Sequence, residues 1–377
     1  MSAGIVASLA GFASSFAILI AGARAVGATP EQAASGLLVV CVVQGLVSIG
    51  LSLRFRWPIS IAWSTPAAAV LVTAGGITHD FGVAVSAFIL TGILLAVTGL
   101  WPWLARVMTS IPAPIASAML AGILFPICIA PAKAAATLPL LALPAIVVWL
   151  VLLRFAPRWA VPAAVVATAI AVVIAAGPDW AAGASLAPRL EWVTPQFEPL
   201  AIVSLAVPLY LVTMAGQNIP GFTVLRTFGY VPVPARSVLA ATGLASAVMA
   251  PFGGQAVNLS ALSAAIVVGD PHTPRDRRWI GSVTGGSLYL LVGLGAGFAT
   301  ALVSASPPVL IEAVAGLALM PALVTAITGA LEEPRSRLVA IGTFLVVASG
   351  VAVGGFGSAF WGLVVGAVLW FVVPRRD

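Results

Sequence analysis

The sequence predicts an all-α integral membrane protein. It should have fourteen transmembrane segments in two inverted repeats of seven, with segments 3 and 10 each a short strand plus a half-helix. Three observations carry this. Hydrophobic residues make up 61% of the 377 and charged residues only 7%, whereas soluble domains carry about 25% charge; so few charges cannot cover a water-facing surface, and the bilayer is the expected solvent. Two stretches, Pro58-Ile-Ser-Ile-Ala-Trp-Ser-Thr-Pro66 and Gly253-Gly-Gln-Ala-Val-Asn-Leu-Ser260, read as extended backbone ending in a helix N-cap. A single hydrophilic insert, Pro178 to Glu198, divides the apolar runs equally.

Taken in order, with about 20 residues needed per helical crossing, the segments fall at 4–23, 32–53, 58–76, 81–100, 111–130, 137–154 and 159–177. Beyond the insert they fall at 199–218, 236–252, 254–269, 279–300, 308–330, 336–353 and 356–373. The first run lacks a basic leader and a cleavage site, so it reads as a span and not as a signal peptide. Within segment 3, Thr65 followed by Pro66 suits an N-cap and first turn, and Ser260 suits an N-cap in segment 10. Thr65 and Ser260 stand 195 residues apart. The pairs Pro112 and Pro307, Pro126 and Pro321, Pro139 and Pro334, and Pro58 and Gly253 share that separation.

Seven spans per half oblige the second half to enter the membrane upside down, which is the plan of inverted-repeat transporters. The basic residues agree. With the N-terminus inside, fourteen of the 17 Lys and Arg residues face the cytoplasm, while Arg24, Lys133 and Arg189 face the other side, a strong positive-inside bias. Both termini are then cytoplasmic, and residues 179–198 form an extracytoplasmic linker. The net charge of +6 is scattered singly between apolar runs, which excludes a nucleic-acid patch. Cys41 and Cys128 have no metal-ligand spacing and read as small packing residues. Gly281, Gly285, Gly293 and Gly297 share a helical face and read as a close-packing stripe; Trp101, Trp103, Trp159, Trp180 and Trp192 read as interfacial anchors.

Irregular backbone at membrane depth survives where protein buries it or it lines a cavity, and a pair of such breaks in corresponding halves points to a transporter's binding site. Two half-helices starting mid-membrane aim unpaired N–H groups and partial positive charge at one point, a setting for an anion. The groups expected there are Ser64, Thr65, Gln255, Asn258 and Ser260. Segment 8 adds Tyr210, Met214, Gln217 and Asn218, and segment 1 adds Phe12, Ser14, Ser15 and Phe16. Two adjacent amides inside a membrane are costly unless something uses them. Glu312 is the one carboxylate well inside a segment and is a candidate proton carrier; Asp270 and His272 are further candidates, and also read as plain loop residues. Metalloprotease, hydrolase and phosphate-loop signatures are absent, so no enzyme, metal or cofactor is expected.

At Ala215-Gly-Gln-Asn-Ile-Pro-Gly-Phe222 and Ala250-Pro-Phe-Gly-Gly-Gln-Ala-Val-Asn-Leu259 the sequence resembles the BenE-type benzoate/proton symporters. The Pro58–Pro66 stretch and Arg275-Asp-Arg-Arg-Trp279 are similar to that family's pattern too, and the resemblance covers essentially the whole chain. It implies a uracil-permease-like fold, with a core domain (1–100 and 199–300) and a gate domain (101–178 and 301–377). It also implies import of benzoate or a related aromatic carboxylate across the bacterial inner membrane by proton symport. Nucleobase permeases of that fold place glutamates on segments 8 and 10; here Gln217, Asn218, Gln255 and Asn258 stand nearby, which argues against a nucleobase and suits an anion. The ring would lie against Phe12, Phe16, Trp63, Tyr210 and Met214. The alternatives are an anion exchanger or channel, or a nucleobase-type permease, of the same fold. A homodimer through the gate is left open.

Overall fold

The computed structural model describes residues 2–101, 103–104, 106, 111–177, 180–181, 185–354 and 356–373, apart from the side chains of Ala10, Ser14 and Arg158. The described chain is mostly helical. In the first half it runs α1 (Ser2–Ala25), α2 (Pro30–Phe55), β1 (Ile61–Trp63), α3 (Thr65–Thr73) and α4 (Phe81–Leu100). There follow α5 (Ala113–Cys128), α6 (Ala130–Thr137), α7 (Pro139–Phe155) and α8 (Pro157–Ala176). The second half runs α9 (Pro199–Thr213), α10 (Ile219–Thr227), α11 (Ala235–Met249), β2 (Val257–Leu259), α12 (Ala261–Val268), α13 (Trp279–Gly293) and α14 (Ala296–Ala305). It ends with α15 (Pro308–Leu331), α16 (Arg337–Ala348) and α17 (Ser358–Val372).

Each of the fourteen expected stretches contains helix, but they are not fourteen full crossings. Eight helices among the described residues are long and apolar enough to cross a membrane, and a ninth is counted if the bent pair 275–305 is one span. The expected segments 3 and 10 yield half-helices of nine and eight residues. Segments 6, 13 and 14 yield helices of 17, 12 and 15 residues, about 26, 18 and 22 Å long at 1.5 Å per residue against a hydrocarbon thickness of about 30 Å. The expected single span 279–300 breaks instead at Gly293-Leu294-Gly295 with a 60° bend, and α6 is a short helix that the hydropathy did not separate from its neighbours.

Segment 8 runs beyond residue 218. α9 passes through a π-helical turn at Met214–Asn218 into α10, and the Ile219 amide reaches back to the Met214 carbonyl. Pro220 accounts for this local widening: it has no N–H for the Gly216 carbonyl, and its ring displaces that carbonyl from the ordinary ladder.

The two extended stretches pair with each other. β1 and β2 are antiparallel, with Ile61 opposite Leu259, Ala62 opposite Asn258 and Trp63 opposite Val257. The Ser64 amide donates to the Ala256 carbonyl at 2.9 Å, and the Ser260 amide donates to the Ser60 carbonyl at 2.9 Å, closing both ends of the ladder. Each strand thereby satisfies backbone groups that the other would otherwise leave bare in an apolar interior. Neighbouring helices hold the ribbon: Ser48 and Ser52 of α2 donate to the Ile59 carbonyl at 3.1 and 3.0 Å, and Ser246 of α11 accepts from the Val257 amide at 3.0 Å.

Reciprocal glycine contacts bring helices from opposite halves together around this ribbon. Gly45 of α2 faces Gly286 of α13, and Gly92 of α4 faces Gly243 of α11. Residues 185–198 of the insert are a strap across one end: the Glu191 amide donates to Ser35, Val193 to the Pro251 carbonyl, and Gln196 to the Gly82 carbonyl. Asp179 of that insert lies outside the described residues.

Candidate functional site

Both half-helices begin where the ribbon ends. In the first, the N-cap is Ser64 and not Thr65: the Ser64 hydroxyl oxygen accepts the Ala67 amide at 3.3 Å, and Thr65 and Pro66 are the first two helical residues. Pro66 is equally at home one position further in, so its presence does not distinguish the two caps. In the second, Ser260 caps α12 as expected, its oxygen accepting the Ser263 amide at 3.1 Å. The first-turn amides of a helix have no acceptor within the helix. Once the caps have taken Ala67 and Ser263, those of Thr65, Ala261 and Leu262 are left to meet an anion; Pro66 contributes none. The positive ends of both half-helices therefore bear on the ribbon, with the larger donor share from α12.

The amide side chains expected around this point divide into two kinds. Asn218, wholly buried, serves the scaffold: its Oδ1 accepts the Leu259 amide of β2 at 3.0 Å, and its Nδ2 lies 3.6 Å from the Met214 sulfur. Gln255 donates to the Ser64 carbonyl at 3.2 Å, and Asn258 to the Leu259 carbonyl at 3.0 Å. Their oxygens, Gln255 Oε1 and Asn258 Oδ1, are buried without a hydrogen bond, which costs about 1–3 kcal/mol for each group unless a ligand or water supplies the partner. Gln217 is half-buried in the π turn.

An aromatic group flanks the ribbon. Phe12 stacks on Phe16 with centroids 5.1 Å apart, and Trp63 meets Phe12 edge-on at 5.9 Å and Tyr289 at 5.8 Å. The Trp63 indole N–H donates to Ser15 Oγ at 2.9 Å, and Ser15 in turn donates to the Gly11 carbonyl at 2.8 Å, which fixes the indole plane against α1. The Ser14 side chain lies outside the described residues. Tyr210 does not join this group; it is buried with its hydroxyl hydrogen-bonded to Thr98 of α4 at 2.5 Å, because its position on α9 faces α4 and away from the ribbon.

Two residues that sequence reasoning missed complete the picture. Tyr289 sits on the glycine-striped helix α13, where the stripe drew attention to packing; a tyrosine amid an apolar span was the available signal. Thr213 donates its hydroxyl to Ser64 Oγ at 2.7 Å.

Two of the proton-carrying candidates lie apart from the ribbon. Asp270 and His272 occupy the exposed turn after α12, beyond a half-helix about 12 Å long. There the Asp270 carboxylate accepts the Thr273 hydroxyl at 2.6 Å and the His272 amide at 3.0 Å. These bonds, the hydroxyl foremost, hold its pKa below the ordinary carboxylate value, which disfavours proton uptake near neutrality. Glu312 is half-buried on α15.

A largely apolar helical bundle, in which two half-helices start from a buried two-stranded ribbon, fits a membrane transporter, and the comparisons agree. The family model of the benzoate membrane transport protein, BenE, matches residues 1–372, and the chain belongs to that family. It is 38% identical to the inner membrane protein YdcO of Escherichia coli K12, over 98% of this chain and 95% of that one. It is 32% identical to the benzoate membrane transport protein of Acinetobacter baylyi, over 99% and 94% respectively. Among solved structures, the transmembrane domain of a cyanobacterial bicarbonate transporter, BicA, matches with a TM-score of 0.58 at 14% identity, covering 97% of this chain and 96% of that domain. SLC26A9 matches with a TM-score of 0.57 at 14% identity, covering 98% of this chain and 65% of that one. These two likenesses establish the fold. The protein is a multi-pass membrane transporter and not an enzyme.

Proposed function

We propose that the protein imports benzoate or a closely related single-ring aromatic carboxylate by proton symport across the bacterial inner membrane, with both termini in the cytoplasm. The observation that carries this reading is the juxtaposition of two capped half-helix N-termini with the Phe12, Phe16, Trp63 and Tyr289 aromatic group. A carboxylate with a pKa near ~4 is ionised at neutral pH and suits the free amides of Thr65, Ala261 and Leu262, while its ring suits the aromatic side. Gln255, Asn258 and Gln217 are the side chains that orient it, and Ser260 holds the donor turn in place. Two inverted repeats, in which α2 packs on α13 as α11 packs on α4, supply a core of residues 1–100 and 199–300. Movement of that core against a gate of 101–178 and 301–377 exposes the site alternately to each side. Glu312 or the substrate itself carries the proton.

Uptake of labelled benzoate into proteoliposomes tests the reading. Accumulation should follow an inward proton gradient, collapse with a protonophore, and need no counter-anion inside. Uptake that requires an internal anion and ignores the proton gradient would make the protein an exchanger of the same fold.

A further inference from the structure

Beside the ribbon, the structure holds a second polar feature, of which the substrate reading uses only the Tyr289 ring. A small cavity between α1, α2, α12 and α13 is lined by six hydroxyls, those of Ser8, Ser48, Ser60, Ser263, Ser282 and Tyr289. Its volume is about 10 Å³, and roughly 10–15 Å³ with two to four polar partners is what one water molecule requires. The Ser60 and Ser282 hydroxyls lie 2.7 Å apart, and Ser48 reaches both the Ile59 and the Ser282 carbonyls. Among the described residues, no carboxylate, imidazole, ammonium or guanidinium lines the cavity. One helical turn from Ser48, on the same helix, Gln44 is wholly buried with both amide atoms lacking a hydrogen bond, a condition that water can relieve.

The placement gives the cavity direction. Tyr289 is in edge contact with Trp63, next to the Ser64 cap. Gly4 and Gly281, which also line the cavity, lie toward the Arg275–Arg278 loop, the end that the arginine distribution assigns to the cytoplasm. Glycines make the room: a Cβ on Gly285 would come within 2.7 Å of Ser8 Oγ.

We infer that this hydroxyl-lined cavity is hydrated and, once Glu312 or the substrate has brought the coupled proton to the site, passes it on to the cytoplasmic end. The inference rests on the symport reading. Each hydroxyl or water accepts a proton on its oxygen as it releases its own to the next oxygen, so one proton enters at the Tyr289 end and one leaves at the Gly281 end. No covalent bond to carbon changes, and no oxidant or reductant is needed.

The double variant Ser60→Ala/Ser282→Ala tests it, because removing both partners of one hydrogen bond leaves neither unsatisfied. Gly285→Ala, one turn from Ser282 on α13, which would bring a Cβ to 2.7 Å from Ser8 Oγ, is the second variant. In proteoliposomes, proton-driven benzoate accumulation should drop to the level seen with the gradient collapsed, while benzoate–benzoate exchange at equal pH and benzoate binding stay at wild-type values. A dye in the lumen should report benzoate entry without the accompanying acidification. Undiminished accumulation in both variants would overturn the relay. So would loss of exchange together with accumulation, which makes the cavity part of the moving machinery, and so would wild-type uptake that follows a sodium gradient and ignores pH, which makes it a cation site. Wild-type protein that accumulates nothing under a proton gradient would instead remove the symport reading, and the relay with it.

Discussion

Thr213 donates its hydroxyl hydrogen to Ser64 Oγ at 2.7 Å, and both residues are wholly buried. One oxygen thus caps α3 and fastens it to α9, from the opposite half of the chain. Ser260 caps α12 with no corresponding side-chain donor among the described residues. Ser64→Ala should therefore cost more than Ser260→Ala. The cap contributes about 1 kcal/mol in each case, and a buried Thr213 hydroxyl left without a partner adds about 1–3 kcal/mol. Unfolding of the two purified variants in detergent, against wild type, measures the difference. Equal losses would mean that the Thr213 bond contributes nothing.

The buried amides should separate by role. Asn218→Ala strips the acceptor from the Leu259 amide and should lower folded yield and thermal stability, with a loss of about 1–3 kcal/mol for an orphaned buried donor. Gln255→Ala, Asn258→Ala and Gln217→Ala should leave a folded, inserted protein whose benzoate affinity is about tenfold weaker, the equivalent of one lost hydrogen bond near 1.4 kcal/mol. Equilibrium binding to purified protein, paired with a melting curve, distinguishes the two kinds. Wild-type affinity in all three would move the substrate site away from the ribbon.

Much of this arrangement was legible in the sequence, for identifiable reasons. Short polar, proline- and glycine-bounded stretches in an apolar chain read as breaks, and Ser and Thr at their ends suit caps, so the two half-helices could be placed to within a residue. The shift from Thr65 to Ser64 arose because both residues cap well and Pro66 fits either first-turn position. Which of two adjacent amides holds β2 depends on helix phase, and the π turn set by Pro220 alters that phase, so Gln217 and Asn218 read alike. Tyr210 turned out to face Thr98 for the same reason: rotation about α9 is a tertiary property. Hydropathy could not reveal the break in segment 11, because Gly293 and Gly295 are as compatible with close packing as with a bend.

Proton coupling should be insensitive to the exposed turn. A carboxyl whose folded pKa is depressed, as that of Asp270 is by the Thr273 hydroxyl and the His272 amide, favours its ionised form. Its stabilising contribution is present above the ordinary carboxylate value and is lost only as pH falls through the lowered one. Asp270 therefore stays charged across the neutral range, and Asp270→Asn should leave the pH profile of uptake unchanged. His272→Ala should do the same. Glu312→Gln should reduce proton-driven accumulation while sparing substrate exchange. Initial uptake rates over a pH series test all three; a displaced profile in Asp270→Asn would return that carboxylate to the coupling scheme.

The glycine contacts that join the halves should tolerate no side chain. A Cβ on Gly45 would lie 2.6 Å from the Gly286 carbonyl oxygen, and one on Gly243 would run into the Ala96 amide nitrogen and lie 2.6 Å from the Gly92 carbonyl oxygen. These neighbours are backbone, so relief requires whole helices to separate, and overpacking of that sort costs about 1–3 kcal/mol or more. Because the ribbon is anchored from α2 through Ser48 and Ser52 and from α11 through Ser246, separating either pair also strains the half-helix caps. Gly45→Val and Gly243→Val should therefore lose both thermal stability and transport. Gly50, on the same helix as Gly45, has nothing within 4 Å of its Cβ position, and Gly50→Ala should stabilise the protein by about 0.5–1 kcal/mol, since alanine loses less backbone entropy in a helix interior. Melting temperatures in detergent, with benzoate uptake in proteoliposomes alongside, check the contrast; if Gly45→Val behaves like Gly50→Ala, then α2 and α13 are not in the close contact described.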